Sequence, residues 1–440
     1  MDNMKSKVLK IFDIVLSKYV YAYVFVFYSF FKTFKMFINQ KSPTYFIVFY
    51  GLIVLCYKFT DAKNKFGYIF EILPSIFIML SAIISVMVSK IFNYENIKII
   101  LIFVISLLVL LPEDKKSDNK SIYKKLYIFC LLVSILFFIY TLISFLYYVI
   151  VGNVENRPMG MLNELTYFAQ SIVACIGASV YCIFYSKNKY IILLQIINFA
   201  FQSFVLFLTL QRGSLYGYLI AVILLVFLLK KNYNDIDNKV TKEIVLIIVL
   251  LFIIIFAFLV LSGKFNIKLV IDRFTSGLNL REYIYKFGFC AMAHSANYLF
   301  GATRGGIYSA WHNYLNLYYE LWKVPYEKYS IVRGCIDDVA IHSTFLEQLF
   351  VHGLFGLISL LYFYFRIAYM ILISIFRNRL TNNQLALVAS SLFCLIAVMF
   401  DSFFNRALLF DIVYPQNLCF FVFTGALFRL IDIYKIEKVD

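Results

Sequence analysis

Charge is what this sequence has least of. Only 15% of its 440 residues are Asp, Glu, Lys or Arg, where an ordinary globular protein carries about 25%. That excludes a soluble multidomain enzyme and a soluble nucleic-acid binder. Proline (6), glycine (17), tryptophan (2) and histidine (4) are also scarce, and no internal repeat or low-complexity tract is present. The eight cysteines form no paired C-x-x-C pattern, so a zinc framework is not expected. A P-loop, a GxGxxG after a strand and an HExxH helix are all missing, which removes the common nucleotide and metalloprotease signatures. No short apolar region ending in a small-residue cleavage site opens the chain, so a cleavable signal peptide is not expected.

Hydrophobic residues are what remains. They make up 62% of the chain, with 49 Phe and 35 Tyr, and the mean hydropathy is +0.82. Apolar runs long enough to cross a bilayer, about 20 residues each, fall at roughly 16–36, 43–58, 68–89, 96–112, 126–151, 161–186, 190–210, 214–229, 244–262, 350–376, 384–404 and 408–430. The expected class is all-α: a polytopic integral membrane protein of about 12 transmembrane helices.

The net charge of +16 sits in short loops between these runs. One alternating set of loops holds Lys5, Lys7, Lys10 and Lys18, then Lys58, Lys63 and Lys65, then Lys115, Lys116, Lys120, Lys124 and Lys125. It continues with Lys187 and Lys189, then Lys230, Lys231, Lys239 and Lys242, then Arg377 and Arg379, and ends in the tail. The opposite short loops hold only Lys41, Lys90, Arg157, Arg212 and Arg406. The positive-inside rule therefore places both termini in the cytoplasm. It divides the chain into helices over 1–262, one large outer loop over 263–341, and helices over 342–440. Cys290 and Cys335 both fall in that loop, where an oxidising compartment would allow them to pair.

All four histidines lie between His294 and His352, in the outer loop and its exit helix. Histidine is the side chain best suited to exchange a proton near neutral pH. His342 precedes the run STFLEQLFVHGLFGLISLL, in which Thr344 and Glu347 read as a capping box. An unbroken helix from there to Phe376 would be about 50 Å long. Either His342 stands well above the membrane, or the helix bends near Gly353 and Gly356. His352, inside the helix, reads as structural. A second capping box, Asn279 with Glu282, puts Arg281 in a helix's first turn, where a cation opposes the helix dipole and a bound anion would explain it. Arg212 stands in a tight turn between two apolar runs, and Arg157 occupies a similar outer position. A guanidinium fork binds phosphate oxygens bidentately, so outer-face arginines with a histidine point to a phosphorylated lipid headgroup. The opposing reading of each arginine is an interfacial side chain that snorkels.

These segments resemble the bacterial O-antigen ligase and O-antigen polymerase superfamily. The resemblance covers about residues 150–376 and rests on NRPMGMLNELTYFA, LTLQRGSLYGYLIAVILLVFLL, LREYIYKFGFCAM and IHSTFLEQLFVHGLFGLI. Ser343 stands where the family commonly has Asn. The resemblance implies a GT-C-like, metal-independent, inverting glycosyltransferase of the bacterial inner membrane that needs no cofactor. Its glycan donor would be linked to undecaprenyl pyrophosphate, with an active site facing the periplasm. The acceptor would be lipid A–core in a ligase, or a second lipid-linked glycan in a polymerase. Residue by residue, the family's functional arginines match Arg212 and Arg281, and its essential histidine matches His342. Arg157, Arg304, Lys286 and His312 are then expected to contact substrate. The balance favours the ligase. The rival from another class is a polysaccharide or lipid transporter, which would carry paired ionisable residues near the bilayer midplane.

Overall fold

The computed structural model describes residues 12–33, 42–60, parts of 73–111, 118–151, 165–232, 281–295, 297–323, 341, 343–377, 380–404 and 415–431. Among the described residues every regular element is a helix. The principal ones are α1 (Lys18–Thr33), α2 (Ser42–Thr60), α3 (Asn119–Val151), α4 (Leu165–Tyr185), α5 (Lys189–Thr209) and α6 (Arg212–Asn232). They continue with α7 (Arg281–Ser295), α8 (Thr303–Trp322), α9 (Thr344–Arg377), α10 (Asn382–Phe404) and α11 (Pro415–Leu430). Six are long and apolar enough to cross a membrane: Asn119–Ile150, Phe168–Tyr185, Lys189–Thr209, Arg212–Lys230, Thr344–Phe376 and Asn382–Phe400. Phe46–Lys58 and Gln416–Leu430 are shorter apolar helices. The expected spans at 68–89 and 96–112 are described only in part, and the one at 244–262 lies outside the described residues.

Local signals set the helix boundaries. The Asn188 side chain accepts a hydrogen bond from Tyr190 N (3.0 Å) and caps α5, which ends at Leu210 in the left-handed region (φ 52°). A reciprocal capping box opens α10: Thr381 N donates to Gln384 Oε1 (3.1 Å), and Gln384 N donates back to Thr381 Oγ1 (3.4 Å).

Helix α10 is the hub and packs against α4, α6, α9 and α11. Every residue from Leu385 to Val398 is buried, as is every residue from Gln416 to Leu427 in α11. Hydropathy cannot tell such a helix from a lipid-facing one; only packing does. Small residues bring the backbones close. A Cβ on Gly177 of α4 would stand 3.1 Å from Cys394 Sγ, and one on Gly217 of α6 would stand 3.3 Å from Ile396 O. By contrast, Leu354, Ile358, Tyr362, Phe365, Tyr369, Leu372 and Phe376 form an exposed apolar stripe along α9, at the spacing of one helix face.

The helices alternate in direction, so the loops gather at two ends. One end holds Lys18 and Lys58, whose ammonium groups donate to Leu110 O (3.0 Å) and Val109 O (3.1 Å). Lysines closing carbonyls there match the dipole preference of helix C-termini. The other end holds the starts of α4, α6 and α11 and the finish of α10. There Ser171 Oγ donates to Gln416 Oε1 (3.4 Å) and Gln416 Nε2 to Gln170 Oε1 (2.7 Å).

Helix α9 is not the single rod its length suggests. Gly353 adopts φ 70°, ψ −168° and breaks it, a conformation open essentially to glycine alone. The first arm, Thr344 to His352, doubles back along the second, Leu354 to Arg377. The Phe345 and Tyr364 rings meet at 5.8 Å, although 19 residues of straight helix would separate them by about 28 Å. Of the two alternatives open to the sequence, the bend at Gly353 is the one adopted. The start of α9 returns to the finish of α10 instead of standing far beyond it.

Candidate functional site

A turn from the segment between α7 and α8 fills the break in α9. Ala302 N donates to Phe350 O (2.9 Å), closing the first arm. Leu354 N and Phe355 N, the first donors of the second arm, reach Tyr298 O (2.9 Å) and Leu299 O (3.1 Å). The backbone groups that a broken helix would orphan are thus satisfied by one turn. Asn297 ties the turn together through Gly301 O (3.0 Å) and Phe300 N (3.2 Å). Gly301 (φ 79°) and Gly353 press together: a Cβ on either would lie 2.5 Å from the other's amide nitrogen. Sequence reading missed this wedge. Its one visible trace is Asn297 followed four residues later by glycine.

Helices α7 and α8 close over the first arm of α9 with a small core of their own. It contains Ile284, Phe287, Met292, Ile307, Trp311, Ile341 and Phe350. The two helices are joined by a His294–Tyr314 stack at 4.1 Å and 9°. Both lie in the segment between α6 and α9.

Arg281 opens α7 and Arg212 opens α6, so each guanidinium sits in the first turn of a helix. Both oppose the dipole of the helix they begin. Arg212 stands at the same end as the start of α9: Gly217, five residues on, packs on Phe400 and Ile396 of α10. Two residues beyond Phe400, Ser343 Oγ donates to Ser402 O (3.4 Å), and Ser402 Oγ shares a 2.8 Å hydrogen bond with Tyr364. Tyr285, one turn along α7, is held above the ordinary phenol range by burial, partly offset by the Arg281 charge. It stays a neutral phenol beside the cation.

The cap at the start of α9 differs from the expected Thr344–Glu347 box. Ser343 is the capping residue: its Oγ accepts from Leu346 N (3.4 Å), and its carbonyl accepts from Glu347 N (2.8 Å). The frame shifts by one because Thr344 already has helical geometry, and Glu347 is buried instead of reaching back. His342 itself lies outside the described residues; its neighbours Ile341 and Ser343 are both buried.

The remaining sequence candidates divide. Lys286 is exposed and pairs with Glu282 at 2.7 Å, one turn away on α7. That pair takes up the carboxylate expected to cap the helix at Asn279, itself outside the described residues. His312 on α8 stacks obliquely on Tyr308 at 4.2 Å. Arg304 falls in the first turn of α8, but its side chain is not among those described, and Arg157 lies outside them altogether. Cys290 is half-buried with a free thiol, and Cys335 is outside the described residues.

Two buried polar residues on the first arm of α9 went unused in the sequence reading. Gln348 is wholly buried with neither amide atom hydrogen-bonded, and His352 is 3% exposed with Nδ1 unpartnered. Each unmatched group costs about 1–3 kcal/mol. The assignment of His352 as structural explains its burial but not its unmatched nitrogen.

The fold and these features define a multi-pass helical membrane protein with Arg212 and the start of a folded-back helix at one end. Residues 197–361, less than half of the chain, match the family model described as O-antigen ligase, in line with the resemblance to the O-antigen ligase and polymerase superfamily. The matched segment contains Arg212, Arg281, His342 and the whole wedge. Members of the family are glycosyltransferase-like enzymes of lipopolysaccharide assembly. No curated protein matches the chain.

Proposed function

We propose that the protein is a membrane glycosyltransferase that moves an undecaprenyl-pyrophosphate-linked O-antigen glycan onto lipid A–core at the periplasmic face. The observation that carries this reading is the pair of arginines opening α6 and α7, within the family-matched segment that also holds His342. Arg212 and Arg281, assisted by Arg157, hold the pyrophosphate and stabilise the charge that develops as it leaves. His342 takes the proton of the acceptor hydroxyl, which attacks the anomeric carbon with inversion. Such base assistance contributes typically about 10²–10⁴-fold. Arg304, Lys286 and His312 contact the glycan. Metal independence, a GT-C-like arrangement of about 12 spans, the division at 262 and 341, and cytoplasmic termini in the inner membrane belong to the same proposal.

The test is a gel of surface polysaccharide from the native host lacking this gene, complemented with the wild type or with His342→Ala at equal membrane abundance. Loss of all glycan from lipid A–core, with polymer kept on undecaprenyl pyrophosphate, identifies the ligase. Single repeat units still joined to the core identify the polymerase instead. An unchanged profile on deletion overturns both in favour of a transporter, and full rescue by His342→Ala removes the histidine from the mechanism.

A further inference from the structure

We infer that the fold-back of α9 forms a subsite for the hydroxyl groups of a sugar ring, lined by Gln348 and His352, and that this sugar belongs to the acceptor glycan. The inference rests on the glycan-transfer reading above. Thr344, Gln348 and His352 recur at i, i+4 and i+8 and so share one face of the first arm; all three are buried. That face meets the second arm at Gly356, where an added Cβ would stand 3.5 Å from Gln348 Oε1, 3.4 Å from Ser81 Oγ and 2.4 Å from His352 Cβ.

The unmatched atoms define the ligand's chemistry. Gln348 presents both an unpartnered donor, Nε2, and an unpartnered acceptor, Oε1, and His352 adds Nδ1. A phosphate offers only acceptors and would leave Oε1 unmatched; an ammonium offers only donors and would leave Nε2 unmatched. Hydroxyl groups donate and accept, so a vicinal diol satisfies the amide and the imidazole together. A methionine of similar shape would fill the same space without unmatched atoms, so packing alone does not account for the glutamine. The face runs back to Thr344 and the Ser343 cap, next in sequence to the proposed base for the acceptor hydroxyl. That continuity assigns the site to the acceptor rather than to the pyrophosphate-linked donor. Both side chains are covered in this conformation.

The experiment uses the full chain in lipid nanodiscs, with the wild type and Gln348→Met compared. The probes are deacylated lipid A–core oligosaccharide and the lipid-free repeat-unit oligosaccharide. One of them is expected to raise the thermal midpoint of the wild type. Gln348→Met is expected to be at least as heat-stable without ligand, to lose that rise, and to show an acceptor KM higher by about tenfold with donor KM and kcat unchanged. Should Gln348→Met fail to fold, the histidine carries the same comparison: His352→Asn, which keeps a polar atom near Nδ1, retains the midpoint shift and the low acceptor KM, and His352→Leu loses both. An active Gln348→Met with unchanged acceptor KM and an undiminished shift overturns the subsite and leaves an internal water as its occupant. A rise in donor KM alone overturns the assignment to the acceptor. A wild type that binds oligosaccharide but transfers no lipid-linked glycan sinks the transfer reading while sparing the subsite.

Discussion

The hub formed by α4, α6, α10 and α11 and the capping assembly formed by α7, α8 and the first arm of α9 are both helical, yet they are held by different means. In the hub, buried apolar side chains fit between continuous helices, and glycines serve close approach without unusual dihedral angles. In the capping assembly two glycines take positive φ, a helix is broken, and one turn satisfies the freed backbone groups through specific hydrogen bonds. A packed hub tolerates small changes of volume by side-chain adjustment. A joint built from backbone geometry has no comparable slack, and the capping assembly carries three of the proposed glycan contacts together with Arg281.

Matched glycine substitutions sharpen that contrast. Gly353→Ala should have the largest effect, because its Cβ would lie 2.4 Å from Leu299 C and O and φ is 70°. Backbone overlap plus a disfavoured dihedral should cost at least about 3 kcal/mol, read as a lowered unfolding midpoint with loss of transfer. An unchanged midpoint would break the comparison outright. Gly288→Ala comes next: its Cβ would meet the Phe350 ring at 2.2 Å, and that ring is wholly buried against Phe289 at 4.9 Å. Overpacking there should cost about 1–3 kcal/mol, measured in the same unfolding assay.

Gly177→Ala in the hub should change stability by less than about 1 kcal/mol. Its tightest contact is 3.1 Å to the end of the Cys394 side chain, and the helix preference of alanine, about 1 kcal/mol over glycine, offsets the crowding. A loss equal to that of Gly288→Ala would erase the distinction between the regions. The smallest stability effect should come from Lys286→Ala. Its ion pair with Glu282 is exposed, so the midpoint should shift by no more than about 0.5 kcal/mol. A raised donor KM at that unchanged midpoint would separate a glycan contact from a structural one.

What could be read in the chain differs between the same two regions. The spans from α3 to α6 and α10 were legible because hydropathy and length alone mark a crossing helix. The gathering of Arg212 and the start of α9 at one end, opposite Lys18 and Lys58, was legible because alternating loops carry unequal charge. The cap was read one residue late, since Thr344 and Ser343 are chemically alike and only the helix start tells them apart. The wedge was not legible, because its hydrogen bonds are between backbone atoms that every residue type shares. Gln348 passed unnoticed within an apolar run, although its spacing of four from His352 was visible.

Composition, hydropathy and loop charge therefore determined the class of this protein, because burial in lipid depends on residue type summed along the chain. Arg212, Arg281 and His342 were named from sequence because an arginine in a tight turn between apolar runs, an arginine in a helix's first turn and a histidine just before a capping box are local chemical facts. The folding back of α9, the turn that holds it and the burial of unmatched groups on its first arm were decided only in three dimensions. Each depends on which backbone atoms segments distant in sequence bring together, and that is set by packing against α10 and α7 rather than by any residue's own preference.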